Sequence, residues 1–485
     1  MTLFRNSSLI LATIIIVLKS PLNYSINKDL KLPNLGETGT SVFSPEHEYQ
    51  LGRMWLRLFR SNVRTLDDPI VQDYVENLIF QLVLQSRLED RRLEIVLVDN
   101  PEINAFAVPG GIIGINNGLL QYAETESELA SVLAHEIAHL SQRHFSRRIE
   151  HAKRQQPLTL ATMLTGLVLL TAGAGDAGLA ALTAGQAAAQ DAALGYSRSN
   201  EAEADRIGMK TLVAAGLNPN GAASMFENML KASKFSGTNQ IPEFLRTHPL
   251  SENRIADARN RARDYPEVDS QPSLAYQLVR ARTINQLKIS NEDSISYFRA
   301  ALKDDELLQD AMYYGLVLSL TKSGRAIEAK SALESLIKKD PDRIEYVIAD
   351  AEIDLLENRS NQAVEKLKKR LSISPRNHPL TMAYAKALVH NDQAHIAEEI
   401  LIEQSEIKST DPGLWYLLAE TQGLAGNIIG LHESRAEFFI LNGNLDQAEK
   451  QLNYAIELSK ANYQKSEILY QRLKDIKDIR SRLDY

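Results

Sequence analysis

The residues with the clearest chemical potential are His135-Glu136-Ile137-Ala138-His139. On a helix, residues i and i+4 share one face, so both imidazoles can reach a single ion. Glu136, beside the first of them, can take a proton from water activated by that ion. The pattern is that of a zinc-dependent hydrolase. Apolar Val132, Leu133, Ile137, Ala138 and Leu140 surround it, so the helix is expected to be largely buried. Two buried imidazoles are costly unless a metal or hydrogen bonds satisfy them. A pair of hydrogen-bonded core histidines is the bland alternative.

A catalytic zinc ion needs a third protein ligand and one open position. The extended spacing HExxHxxGxxH is absent, because residue 142 is Gln and residue 145 is Phe. His144 follows His135 by nine residues and is expected on the opposite helix face, as a structural or surface residue. A second helix offers carboxylates, in Ser199-Asn200-Glu201-Ala202-Glu203-Ala204-Asp205-Arg206. Ser199 or Asn200 can cap it, with acids in its first turn. Glu201 and Asp205 share a face and Glu203 points elsewhere. Glu201 is therefore expected as the third ligand. Asp205 is expected to bond a ligand imidazole and fix its tautomer. Taken alone, the segment also reads as a solvated acidic helix start. Two imidazoles and a carboxylate suit zinc, one ion per chain, although cobalt or manganese could occupy such a set.

The elements that must position these groups can be read around them. Thr125 and Glu128 have the spacing of a capping box, and the helical period runs from Thr125 to His144. Upstream, Leu93 to Val98 is rich in β-branched residues, and Ala105 to Val108 and Ile112 to Ile115 flank the turn cluster Pro109-Gly110-Gly111. A small sheet or hairpin is expected there. Between the two site helices, 158–194 is almost uncharged. Its apolar part, Leu158 to Ala174, has 17 residues, against about 20 for a membrane span. A lid or plug over the cleft is favoured there; a membrane-dipping segment or a core helix is the alternative. From about 270 onward small residues recur at a spacing of 34: Gly315, Ala349 and Ala383, then Ala329, Ala363 and Ala397, with Pro341 and Pro375 in step. That is the period of tetratricopeptide repeats, helical hairpins that bury their apolar faces by stacking. Roughly four to six hairpins are expected. A non-repeating helical bundle is the alternative.

Composition sets the outer limits. The chain has 485 residues, no Cys, and 54 basic against 62 acidic residues, for a net charge of −8. This excludes disulfide scaffolds and cysteine nucleophiles, and argues against nucleic acid as the main partner. Residues 1–25 read as a signal peptide, with Arg5 before an apolar run from Leu9 to Leu18 and no good cleavage site. An uncleaved anchoring helix is the alternative. The chain thus divides into 1–25, a metallopeptidase domain over 26–264 and a repeat domain over 270–485. The fold class is mainly α with a small sheet (α+β), a helical metal-site domain followed by an α-solenoid.

These motifs carry a family resemblance. HExxH followed some 60 residues later by Glu201-x-x-Ala204-Asp205 resembles the HtpX-like and CAAX-prenyl-protease-like zinc metallopeptidases. Asn104-Ala105-Phe106-Ala107-Val108-Pro109-Gly110-Gly111 looks like the hairpin before their catalytic helix. Thr247-His248-Pro249-Leu250 with Asn253-Arg254-Ile255 resembles a further segment of the family. The signal segment and the repeats extend the likeness to family members that act in the bacterial envelope. The resemblance implies a gluzincin-type metallopeptidase, with His135, His139 and Glu201 as zinc ligands and Glu136 as general base. It places His248 near the site, either stabilising the oxyanion or filling the fourth zinc position of a latent enzyme. A His-Pro turn residue is the third option for His248. Arg254 is expected to pair with an acidic neighbour. The strand around Asn104 to Val108 could bind extended substrate by edge pairing. The implied function is a periplasmic protease and chaperone for misassembled outer-membrane β-barrel proteins. Its repeats would contact those clients and the β-barrel assembly machinery, with possible peripheral membrane contact. The alternative is a repeat scaffold with a latent peptidase site.

Overall fold

In the computed structural model the described residues are 44–147, 197–235, 242–266, 268, 272–302 and 308–483. The expected signal peptide and the expected lid over 158–194 lie outside them.

Two amphipathic helices open the described chain. α1 (Pro45–Asn62) is capped by Ser44, and α2 (Pro69–Leu84) by Asp68, whose carboxylate accepts from Ile70 N and Val71 N. Proline at the first helical position suits both starts, since that N–H has no helical partner. Three short strands follow: β1 (Glu94–Val98), β2 (Ala105–Val108) and β3 (Ile112–Asn116). Their order is β1-β3-β2, with β3 parallel to β1 and antiparallel to β2. The expected hairpin is thus present, and β2 is an edge strand. Gly110 and Gly111 turn it with φ of 87° and 77°, a conformation open to glycine. Gly114 pairs with Phe106 across the hairpin, and a Cβ on Gly114 would lie 2.0 Å from the Phe106 ring. That ring packs edge-on against Trp55 and Phe59 of α1, which closes one face of the sheet.

α3 (Asn117–Tyr122) leads into α4 (Glu126–Ser141), the helix of the HExxH motif. The Thr125–Glu128 capping box is formed. The helix ends at Ser141, short of the expected His144. Gln142 and Arg143 close it, and Arg143 takes a left-handed φ of 50°. Its guanidinium is bound by Glu48 of α1, which also accepts from Ser146. α5 (Arg198–Ala214) lies across α4 and is capped by Ser197, two residues earlier than expected. α6 (Asn220–Phe235), α7 (Glu243–Thr247) and α8 (Glu252–Ala262) complete this half.

The rest is helical hairpins. α9 (Leu274–Leu287) pairs with α10 (Asn291–Ala301). Five further pairs follow: 309–322 with 326–339, 344–356 with 360–373, 378–390 with 394–407, 412–424 with 428–441, and 445–458 with 463–483. Ala329, Ala363, Ala397 and Ala448 are fully buried where paired helices touch. The array is not a free tail. α9 packs on α2 and α3: Tyr276 donates its hydroxyl to the Ala123 carbonyl at 2.8 Å, and Arg280 Nε donates to Gln121 O at 3.0 Å. Arg282 Nε reaches Asp68 Oδ2 at 2.6 Å. Further along, Lys408 pairs with Glu76 of α2. Among the described residues no helix is long and apolar enough to cross a membrane.

Candidate metal centre

The site is built on two buried helix faces and one loop. α4 is apolar on nearly every side, so His135, Glu136 and His139 are all at most 4% exposed. α5 crosses it closely because residue 208 is Gly. A Cβ there would lie 3.1 Å from His135 N and 3.2 Å from Ala134 O. This approach brings Glu201, in the first turn of α5, onto the two imidazoles. Glu201 Oε1 is 3.3 Å from His139 Nε2, and Oε2 is 3.5 Å from His135 Nε2. The two Nε2 atoms are 3.0 Å apart.

His248 enters from a third direction. It ends α7, its ring stacked on Phe244 with centroids 4.5 Å apart. Its Nδ1 lies 3.1 Å from Glu201 Oε1 and 3.3 Å from His135 Nε2. One ligand-type atom from each of His135, His139, Glu201 and His248 falls within 4.8 Å of the others, all buried. Its Nε2 faces Glu136 Oε1 at 3.5 Å.

The other side of each group is also specified. His135 Nδ1 is 2.9 Å from Asp205 Oδ1, so a neutral ring with its proton on Nδ1 would present Nε2 to the cluster. Arg254 grips Asp205 through Nε at 2.7 Å and Nη2 at 2.8 Å, and reaches Glu201 Oε2 through Nη1 at 2.9 Å. One guanidinium thus sets the carboxylates at both ends of this face, the pairing role expected for Arg254.

The electrostatics point to a cation. Burial works against a charge on His135, but Asp205 and Glu201 more than offset it and hold the ring up to about 10. Burial pushes His139 well below its ordinary range. Glu201 is held well below the usual carboxylate range, since His248 and the bonds from His135 and His139 outweigh its burial. The positive charge gathered at His135 between Glu201 and Asp205 is the charge that a divalent ion held by the same nitrogen and carboxylate atoms would supply, with the imidazoles then neutral. Glu136 stands apart from this set. It is fully buried, no well-aligned donor serves either oxygen, and burial raises its carboxyl.

One residue does not lie where the sequence suggested. His144 is fully buried, not on an outer face, and its Nδ1 is 2.9 Å from His139 Nδ1. The left-handed turn at Arg143 redirects the chain, so helical periodicity no longer applies beyond Ser141. Glu203 does point away from the cluster, as expected, but its Oε2 meets His144 Nε2 at 3.1 Å. Phe244, the shelf under His248, and Gly208, which sets the helix crossing, carried no sequence signal of their own. Beside His139 a cavity of about 260 Å³ opens along β2, lined by Ala107, Pro109, Leu140, Arg143 and Phe145.

Comparison with known proteins agrees with this geometry. The model of peptidase family M48 matches residues 69–262. The chain is 33% identical over 425 residues to the β-barrel assembly-enhancing protease of Escherichia coli (strain K12), covering 87% of this chain and 86% of that protein. It is 34% identical over 424 residues to the putative β-barrel assembly-enhancing protease of Vibrio cholerae, covering 87% of each. It is 30% identical over 235 residues to the mitochondrial metalloendopeptidase OMA1 of Bos taurus, covering 46% of this chain and 44% of that one.

Proposed function

The chain belongs to peptidase family M48, among the β-barrel assembly-enhancing proteases, and on that premise we propose that it is a zinc-dependent endopeptidase of the Gram-negative periplasm. It hydrolyses misassembled outer-membrane β-barrel proteins and assists the assembly of others. The observation that carries the reading is the convergence of His135, His139 and Glu201 on one point with Glu136 beside it.

His135, His139 and Glu201 would hold a zinc ion, which would supply Lewis acidity toward the scissile carbonyl and toward water. Glu136 takes the proton of the attacking water and returns it to the leaving amine. Its buried, raised carboxyl suits both transfers. Asp205 keeps the Nδ1 proton of His135 in place, and Arg254 holds Asp205. The edge strand β2 offers backbone N–H and C=O groups to an extended peptide, which fits broad substrate choice.

For His248 the geometry favours the latent form. Its Nδ1 sits among the ligand atoms, where it would fill the position a substrate needs. Swung out of the cluster, its ring would be free to face the oxyanion. The work divides between 26–264 for peptidase chemistry and 270–485 for clients and the assembly machinery. Residues 1–25 serve as the export signal. Repeats tied to the peptidase present clients at high effective concentration.

The test is bound zinc and cleavage of an unfolded casein-like substrate. One zinc per chain with cleavage in wild type, and zinc without cleavage in Glu136→Gln, supports the reading. A cleaving Glu136→Gln or a zinc-free wild type refutes it. A more active His248→Ala supports latency, and an inactive one makes His248 catalytic.

A further inference from the structure

His144 and Glu203 have no part in the chemistry above, yet they are arranged as deliberately as Asp205. We infer that they form a positioning pair that fixes His139 for metal binding, an inference that rests on the metallopeptidase reading.

The argument starts from protons. A neutral imidazole has one N–H and one lone pair. For His139 to present a lone pair at Nε2, its proton must sit on Nδ1. That nitrogen is 2.9 Å from His144 Nδ1, so His144 must accept there and carry its own proton on Nε2. His144 Nε2 is 3.1 Å from Glu203 Oε2, a carboxylate that can only accept. Every proton in the chain His139–His144–Glu203 is thereby assigned one place. No other assignment satisfies both contacts with His139 Nε2 left open.

The same logic serves His135 more directly, since its Nδ1 meets Asp205 without an intermediary. Thus the two imidazoles one turn apart on α4 are each anchored by a carboxylate of α5, one at first hand and one through a second ring. His144 is not itself a ligand, because its near nitrogen faces His139 Nδ1, away from the Nε2 cluster.

The backbone is built to hold this pair. The left-handed Arg143, bound by Glu48, brings His144 back against His139. Arg147 Nη1 lies 3.8 Å from Glu203 Oε2 on the far side and favours its charge. The pair also ties the end of α4 to the start of α5, where Glu201 resides. Loss of such supporting contacts weakens metal binding by roughly 10- to 100-fold.

The test is zinc affinity of the full-length chain by competition with a chromophoric chelator. The proteins are wild type, His144→Leu, His144→Asn, Glu203→Gln, and the His144→Leu/Glu203→Gln double variant, with thermal melts of each as a check on folding. His144→Leu is expected to lose roughly 10- to 100-fold in affinity. His144→Asn can still accept from His139 and should recover most of that loss. Glu203→Gln should cost roughly threefold to tenfold in the wild-type background, because a charged acceptor is stronger than a neutral one. It should cost nothing further beside His144→Leu. Equal losses in Asn and Leu variants would assign His144 to packing and overturn the proposal. So would a Glu203→Gln cost that persists in the double variant, or an unchanged affinity in His144→Leu. A wild type that binds no zinc would sink the metallopeptidase reading itself, and the positioning pair with it.

Discussion

Glu243, the first residue of α7, gives a stability test that reaches toward the site. It is 1% exposed, and neither carboxylate oxygen has a well-aligned hydrogen-bond partner among the described residues. Burial and the charge of Glu102 push its carboxyl from about 4.5 up to about 7, against the opposing pull of Arg246 and Asn104. Folding therefore prefers the protonated form. At about 1.4 kcal/mol per tenfold change in proton affinity, the gap corresponds to roughly 3 kcal/mol. The sign follows from the raised value. Stability is complete below about pH 4.5, is lost as pH rises through about 7, and changes little above that. Glu243→Gln keeps the size and removes the titration. The variant and wild type should be nearly equal at about pH 5, while the variant should be more stable by up to roughly 3 kcal/mol at about pH 8. Chemical denaturation of both proteins between those limits measures it. Other groups titrate in both proteins, so the difference isolates Glu243. A difference that stays flat with pH, or one in which wild type gains as pH rises, refutes the reasoning. α7 ends on His248, so the same variant should seat that residue more firmly at alkaline pH.

Three further outcomes are expected. Gly208→Leu should force α5 off α4 and lower zinc affinity at least about tenfold, with Gly208→Ala milder, as read by zinc titration; the 3.1 Å gap to His135 N leaves no room for a branched side chain. Asp68→Ala should cost about 3–5 kcal/mol in denaturant, because it strands the buried Arg282 guanidinium and uncaps α2; Asp68→Asn should cost less, since its amide oxygen still caps α2. Chelation should lower the melting temperature of wild type and Glu136→Gln alike, since ligand binding stabilises by about 2.7 kcal/mol at a hundredfold excess over Kd; His135→Ala should show no such shift.

Helical spacing made much of this site legible. His135 and His139 lie one turn apart, as do Glu201 and Asp205, and a helix converts both spacings into shared faces. The capping box at Thr125 announced where the catalytic helix begins. Its end was not announced. Arg143 adopts a left-handed turn that sequence assigns to glycine or asparagine, and the Glu48 contact that supports it comes from 95 residues away. That turn places His144 against His139 instead of on the opposite helix face, while its expected structural role fits its burial. Glu203 was correctly excluded from the cluster but could not be matched to a partner whose position was unknown. In the tail, the recurrence of small residues revealed hairpins because paired helices repeat the same local demand. How the array meets the peptidase depends on single side chains such as Tyr276 and Arg282, which have no period.

Those side chains also govern when the enzyme comes into being. Tyr276 reaches the Ala123 carbonyl across 153 residues of chain, Arg282 reaches Asp68 across 214, and Lys408 reaches Glu76 across 332. Contacts this distant in sequence form slowly, because a large loop must close before they contribute. The N-terminal flank of the catalytic helix is therefore tied to segments that are made much later than itself. A chain interrupted between the two halves would leave the carbonyls of Gln121 and Ala123 and the Asp68 carboxylate without these partners, next to the start of the catalytic helix.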